Sequence, residues 1–424
     1  MEPSVIEPSA PRPASLFRKV LLGLALTAAL AFLAMHFTRQ ENRSVLPILD
    51  FVEYWAAGRL CLTNGNPYSW DAMLELEKSV GMKPDHSPTT GEETPLMMFN
   101  PPWTLVFVMP LALPSFALSR LIAFVLGVGL VVFCADAIWR IYGGAMGRRW
   151  IAWLVALTFV PTLQVLQMGQ IGPLILLGLV AFLFYVHQSG WAAGIATVLI
   201  AIKPHLFGVF AAALFLWTIH QRRWSVFAGA ALTVTIIMAC LLGANPYLID
   251  QYWHCMTVHS PRDCRTPILG SLLRAMFGPD QFWLQVVPQI VGLVWVAIYW
   301  YRRRNHWDWH EELPLLVLVS LLTTPYGAWP FDLVVLLLPV IEIAARARLA
   351  SRQQLTIIIV VYLAIQLPAM AMSVAGVDLF YFVWMPPALL LSYLGLRRML
   401  ARPSAELWEF GEELAARGAS PAAK

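Results

Sequence analysis

The chain has 424 residues, 59% of them hydrophobic and only 13% charged, with 29 basic and 25 acidic side chains giving a net charge of +4. That composition excludes an ordinary water-soluble enzyme and a disordered chain, and points to a polytopic membrane protein. The small basic excess falls in short connections between apolar runs, where membrane topology accounts for it, so no nucleic-acid partner is expected.

Residues 1–16, rich in Pro, Ala and Ser, read as a disordered cytoplasmic tail. Residues 20–37, "VLLGLALTAALAFLAMHF", carry no charge over about the length a bilayer core demands, and Arg18 and Lys19 precede them. No small-x-small cleavage site follows, which favours a first span over a removed signal peptide. A long outer loop, 38–115, begins there and contains "ILDFVEYWAAGRLCLTNGNPYSW". Asp50 and Glu53, spaced i and i+3, can share one face of a helical turn, with Tyr54 next to them. Two carboxylates held together near low-dielectric surroundings repel, so one of them is poised to accept a proton near neutral pH. The competing reading is a helix-capping Asp beside a solvated Glu.

Further along the loop, "SWDAMLELEKSVG" predicts a short surface helix capped by Ser69 and stopped at Gly81. The apolar but proline-punctuated "FNPPWTLVFVMPLALP", 99–114, predicts a second interfacial or re-entrant helix. Apolar runs then follow near 116–139, 150–165, 171–187, 190–203, 205–219, 225–243, 282–301, 312–324, 330–345, 354–372 and 378–396, which with the first make twelve. Alternation from a cytoplasmic N-terminus puts Arg140, Arg148 and Arg149, Arg222 and Arg223, Arg302 to Arg304, Arg346, Arg348 and Arg352, and Arg397, Arg398 and Arg402 inside. The expected fold is an all-α transmembrane bundle of about twelve spans, a single domain over 17–402, with a second outer loop at 244–281 and a cytoplasmic tail at 403–424.

Polar residues recur where these runs meet the outer side. "LQMGQIGP" supplies Gln167 and Gln170, which also read as a plain helix break between two spans. "LIAIKPHLF" supplies Lys203 and His205, the Lys being either a snorkelling anchor or a partner for an anionic headgroup. "YWHCMTVHSPRDCR" supplies His254, His259, Arg262 and Arg265, with Cys255 and Cys264 as candidates for a disulfide in an oxidising compartment. "TTPYGAWPFD" adds Tyr326, Trp329 and Asp332, and such aromatics also serve simply as an interface belt. Neither a metal-ligand spacing of the CxxC type nor a glycine-rich nucleotide loop is present, so no metal or cofactor is expected.

In order and spacing, "DFVEYWAAGRLCLTNGNPY", "FNPPWTLVFVMPLALP", "GQIGPLILLGLV", "AGIATVLIAIKPHLF" and "TTPYGAWPFDLVVLLLP" resemble the polyprenyl-phosphate-sugar-dependent glycosyltransferases of the C-type superfamily. The resemblance is narrower to the bacterial and mycobacterial alpha-mannosyltransferase-like family, and covers about residues 20–345. Asn100 stands where that family has Tyr before the prolines, and "GQIG" lacks its usual Asn. The resemblance implies a multi-pass protein of the bacterial cytoplasmic membrane with an outward-facing site. A polyprenyl-phosphate hexose, mannose by resemblance, would be the donor, and a glycolipid or polysaccharide hydroxyl the acceptor. It implies Asp50 as base; with it, the outward polar residues give Glu53 beside the base, Lys203, His205 and Arg262 as candidates at the lipid phosphate, and Tyr54, Gln170, His259, Tyr326 and Trp329 as candidates around the sugar and acceptor. The rival classes are a twelve-span transporter and a noncatalytic subunit that binds polyprenyl lipid.

Overall fold

The computed structural model describes residues 50–86, 91–259 and 265–401. The predicted first span, both tails, Arg262 and Cys264 lie outside these residues. Helices joined by short 3-10 turns make up most of what is described. A two-residue antiparallel ribbon, pairing Asp85 with Thr94 and His86 with Glu93, is the only strand structure among the described residues.

Five helices are long and apolar enough to cross a bilayer: Phe116–Ile141, Trp224–Ala244, Trp283–His306, Arg352–Ala375 and Leu379–Leu400. Met146–Thr158 and Val160–Met168, bent by 59°, make a sixth if taken as one broken span. Their outward faces are oily: Leu126, Phe133, Ile236, Val360 and Leu391 are each more than half exposed. Apolar surface on that scale suits lipid rather than water. The bend sits at Phe159, whose extended backbone precedes Pro161 in the first turn of the second segment. Proline supplies no N–H there, and the Val160 N–H at the break donates to the Gln366 side chain at 2.8 Å.

The remaining runs of the expected twelve form shorter or more deeply buried helices. Residues 171–187, 190–203 and 205–219 form the shorter helices Gly172–Tyr185, Gly190–Ile200 and Pro204–His220. Trp309–Thr323 and Leu337–Arg346 are buried along nearly their whole length inside the protein. Burial in protein selects the same side chains as burial in lipid, so an apolar run alone cannot tell a core helix from a span. Close approach is built in: a Cβ on Gly194 would lie 2.1 Å from the Val226 carbonyl oxygen, so Gly190–Ile200 and Trp224–Ala244 touch backbone to backbone.

The predicted loop helices are present as Trp70–Ser79 and Pro102–Ala112. Ser69 Oγ accepts from the Ala72 N–H, and Gly81 takes φ 76° just past the end.

Polar side chains collect at opposite ends of the same helices. Gly172–Tyr185, 14 residues and so about 21 Å long, has Gln170 ahead of it and His187 behind it. Trp309–Thr323 starts from the Asp308 cap and ends at Thr324. At the Asp308 end, Arg303 pairs with Glu312 at 2.6 Å, while Arg346 and Arg397 both reach Glu311 at 2.6 Å. Arginines assigned from sequence to a common side of the membrane thus share one end of the bundle.

Candidate active site

At the Gln170 end, one amide joins four side chains. Gly169, with φ 71°, terminates Val160–Met168 and turns the chain so that Gln170 points inward. The Gln170 Nε2 donates to Asp50 Oδ2 at 2.9 Å and to Glu53 Oε1 at 3.1 Å. Its Oε1 accepts from Tyr54 Oη at 2.6 Å and from Lys203 Nζ at 3.1 Å. Every donor therefore meets an acceptor, and carboxylates and cation lie on the sides of the amide that suit them. Asp50 occupies the cap position of helix Phe51–Leu62, but its side chain makes no capping bond, and its N–H donates to the Met168 carbonyl at 2.9 Å. The capping reading is thereby set aside, since the carboxylate is committed to the cluster.

Lys203 is buried, and its ammonium donates to Asp332 Oδ1 at 2.7 Å. That position excludes a snorkelling anchor. The other Asp332 oxygen accepts the Trp329 N–H at 3.1 Å, and Lys203 Nζ lies 5.3 Å from the Phe331 ring centre. The connecting turn is strained. Gly327 has φ 77° and the non-glycine Ala328 has φ 49°. A Cβ at Gly327 would come within 2.8 Å of His205 Nε2, so the turn lies directly against the imidazole. The same imidazole meets the Tyr326 ring edge-on at 5.7 Å, and Thr324 Oγ1 donates to the His205 carbonyl at 2.8 Å.

Glu53 lies in Phe51–Leu62, which is not one of the candidate spans. Burial, and secondarily the neighbouring Asp50 charge, push its carboxyl from 4.5 up to about 8, against the pull of Tyr54, Lys203 and Gln170. With Glu53 protonated at neutral pH, the cluster holds the Lys203–Asp332 ion pair and the Asp50 carboxylate, a division of roles typical of sites with two carboxyl groups. The raised value also ties stability to pH: folding holds a proton that the unfolded chain releases above 4.5, so the contribution is full below that pH and is lost as pH rises through about 8. Thermal unfolding in detergent is expected to show a melting temperature that falls between these pH values. Glu53→Gln is expected to flatten the fall, and an unchanged slope would remove the assignment.

Other predicted residues stand further out. His259 ends Leu248–Val258 and stacks on Trp70 with ring centres 4.2 Å apart, so the two long connections, 38–115 and 244–281, meet there. Trp329 joins the cluster through its backbone, and its ring stacks on Phe331 at 6.2 Å. Cys255 is buried, and its predicted partner Cys264 is outside the described residues, as is Arg262.

Two contributors were not assigned a role from sequence. Asp332 appeared only as one polar residue among several in its motif. Asn100, a departure from the resembled family, donates from Nδ2 to the Ile202 carbonyl at 3.1 Å, while Tyr68 Oη donates to its own carbonyl at 3.1 Å. It thereby fixes the backbone immediately before Lys203.

No curated protein and no solved structure matches the chain. Residues 99–325, more than half of the 424, match glycosyltransferase family 87. Gln170, Lys203 and His205 fall inside the match, and Asp50, Glu53 and Asp332 flank it. With its apolar helices and this match, the chain belongs to glycosyltransferase family 87 and is a membrane glycosyltransferase.

Proposed function

We propose that the protein transfers a hexose, mannose by resemblance, from a polyprenyl-phosphate carrier to a hydroxyl of a glycolipid or polysaccharide on the outer face of the bacterial cytoplasmic membrane. The observation that carries this reading is the single polar cluster in which Gln170 joins Asp50, Glu53, Tyr54 and the Lys203–Asp332 pair. In this reading the short apolar helices complete about twelve crossings together with the long ones, and both termini are cytoplasmic.

An acceptor hydroxyl is a poor nucleophile until its proton leaves. Asp50 accepts that proton as the oxygen attacks the anomeric carbon, a contribution on the order of a hundred- to ten-thousand-fold. The bond from the anomeric carbon to the phosphate oxygen breaks as the new one forms, so a single displacement inverts the anomeric centre. Negative charge then grows on the leaving lipid phosphate and needs donors already in place. An ammonium has three N–H bonds; Lys203 uses two on Gln170 and Asp332, and the third serves a phosphate oxygen. His205 and Arg262 complete the phosphate end, while Tyr326, Trp329 and His259 border the sugar and acceptor.

The test is incubation of purified protein with labelled polyprenyl-phosphate sugars and a total membrane-lipid extract. Labelled covalent product from a mannosyl donor is the expected result. Label that crosses sealed vesicles without covalent transfer would replace this reading with transport.

A further inference from the structure

The second polar end of the bundle carries a separate arrangement. His187 lies in the short connection between Gly172–Tyr185 and Gly190–Ile200, and Asp308 and His310 open Trp309–Thr323. These segments are remote in sequence, yet His187 Nε2 and His310 Nδ1 each lie 3.3 Å from Asp308 Oδ1. All three donor atoms fall within 4.8 Å of one another, and the imidazole rings stack at 5.2 Å with an interplanar angle of 15°.

We infer that His187, Asp308 and His310 form a binding site for a first-row divalent metal ion, of which zinc is the best fit, with water as the fourth ligand. Two imidazole nitrogens and one carboxylate oxygen are the borderline donor set that zinc and its neighbours favour, whereas calcium and magnesium require mostly oxygen. The spacing agrees with this chemistry. Zinc sits about 2.0–2.1 Å from nitrogen and oxygen ligands, which places neighbouring corners of a tetrahedron about 3.3–3.4 Å apart. Both His-to-Asp separations already equal that edge, and the His-to-His separation is within 4.8 Å.

Access and charge also permit an ion. The side chains of His187, Asp308 and His310 are 48%, 50% and 33% exposed, so an ion and its water can enter. Arginines at this end of the bundle are paired elsewhere, Arg303 with Glu312, and Arg346 and Arg397 with Glu311. The Asp308 carboxylate meanwhile offsets the positive end of the helix dipole, accepting the His310 N–H at 3.0 Å. A bound metal would clamp two helices whose opposite ends hold Gln170 and Thr324, and the clamp stands whether or not the proposed donor is correct.

The experiment uses full-length protein in detergent, carrying a purification tag without histidine and freed of metal by chelator. Titration with zinc sulfate is expected to show saturable binding of one equivalent and a rise in melting temperature, and cobalt(II) is expected to give the intense visible bands of a tetrahedral site. His187→Ala and His310→Ala are expected to weaken zinc at least about a hundredfold, since loss of even an outer-shell partner costs up to about that much. Asp308→Asn keeps a side chain able to cap the helix while removing the anionic ligand, so it separates loss of metal from loss of fold. It is expected to lose the zinc-dependent rise and retain the metal-free melting temperature. No saturable binding by the unaltered protein, or unchanged binding by all three variants, would overturn the site.

Discussion

Asp50→Asn is expected to reduce sugar transfer by about a hundred- to ten-thousand-fold, the range spanned by a positioned general base. The substitution is close to isosteric, and its carbonyl oxygen still accepts from Gln170 Nε2, which now donates to Asp50 Oδ2 at 2.9 Å. The Gln170 bonds to Tyr54, Glu53 and Lys203 remain. Donor binding and melting temperature should therefore stay near those of the unaltered protein while turnover collapses. Glu53→Gln provides the contrast. Its carboxyl, pushed up to about 8, already holds a proton at neutral pH, and an amide imitates that state. Its turnover at pH 7 should be cut far less than that of the Asp50 variant. Labelled-donor turnover measured beside donor binding decides the matter: near-normal transfer by Asp50→Asn, or a larger loss in Glu53→Gln, would move the base from residue 50 to residue 53.

How far the sequence foretold this site depends on whether a residue's role is local. Asp50, Glu53 and Tyr54 sit within one helical turn, so their convergence follows from spacing alone. Lys203 and His205 were visible because a cation and an imidazole interrupt an apolar run at its end. The Lys203 partner was not visible: Asp332 lies 129 positions away, and no spacing rule ties the two. Gln170 was read as bordering the substrate, yet its four hydrogen bonds make it the hub of the cluster. The same limit hid His187 with Asp308 and His310, because a ligand set split between distant segments leaves no local motif. Twelve apolar runs were legible, some of them short for a crossing, but not which pack against protein along their whole length, since lipid and protein interior select the same residues.

The Lys203–Asp332 pair makes the second large prediction. Both side chains are nearly sealed from solvent, 10% and 2% exposed. Lys203→Met strips the counter-ion and leaves a buried carboxylate with the Trp329 N–H at 3.1 Å as a remaining donor. Breaking a buried pair from one side typically costs about 3–5 kcal/mol, so a sharp fall in melting temperature is expected. Adding Asp332→Leu removes the stranded charge, and apolar replacement of a whole pair is often neutral or stabilising. The double variant should regain most of the lost stability. Its activity separates two roles that one position combines. If Lys203 also steadies the departing phosphate, the double variant melts near the unaltered protein and remains inactive, because nothing restores the lost donor. If transfer returns together with stability, Lys203 is only a structural counter-ion, and His205 and Arg262 must hold the phosphate. A single variant as stable as the unaltered protein would instead show that the ion pair does not form in the folded chain. Unfolding curves and labelled-donor turnover on the single and double variants, compared as a cycle, give distinct results for each case.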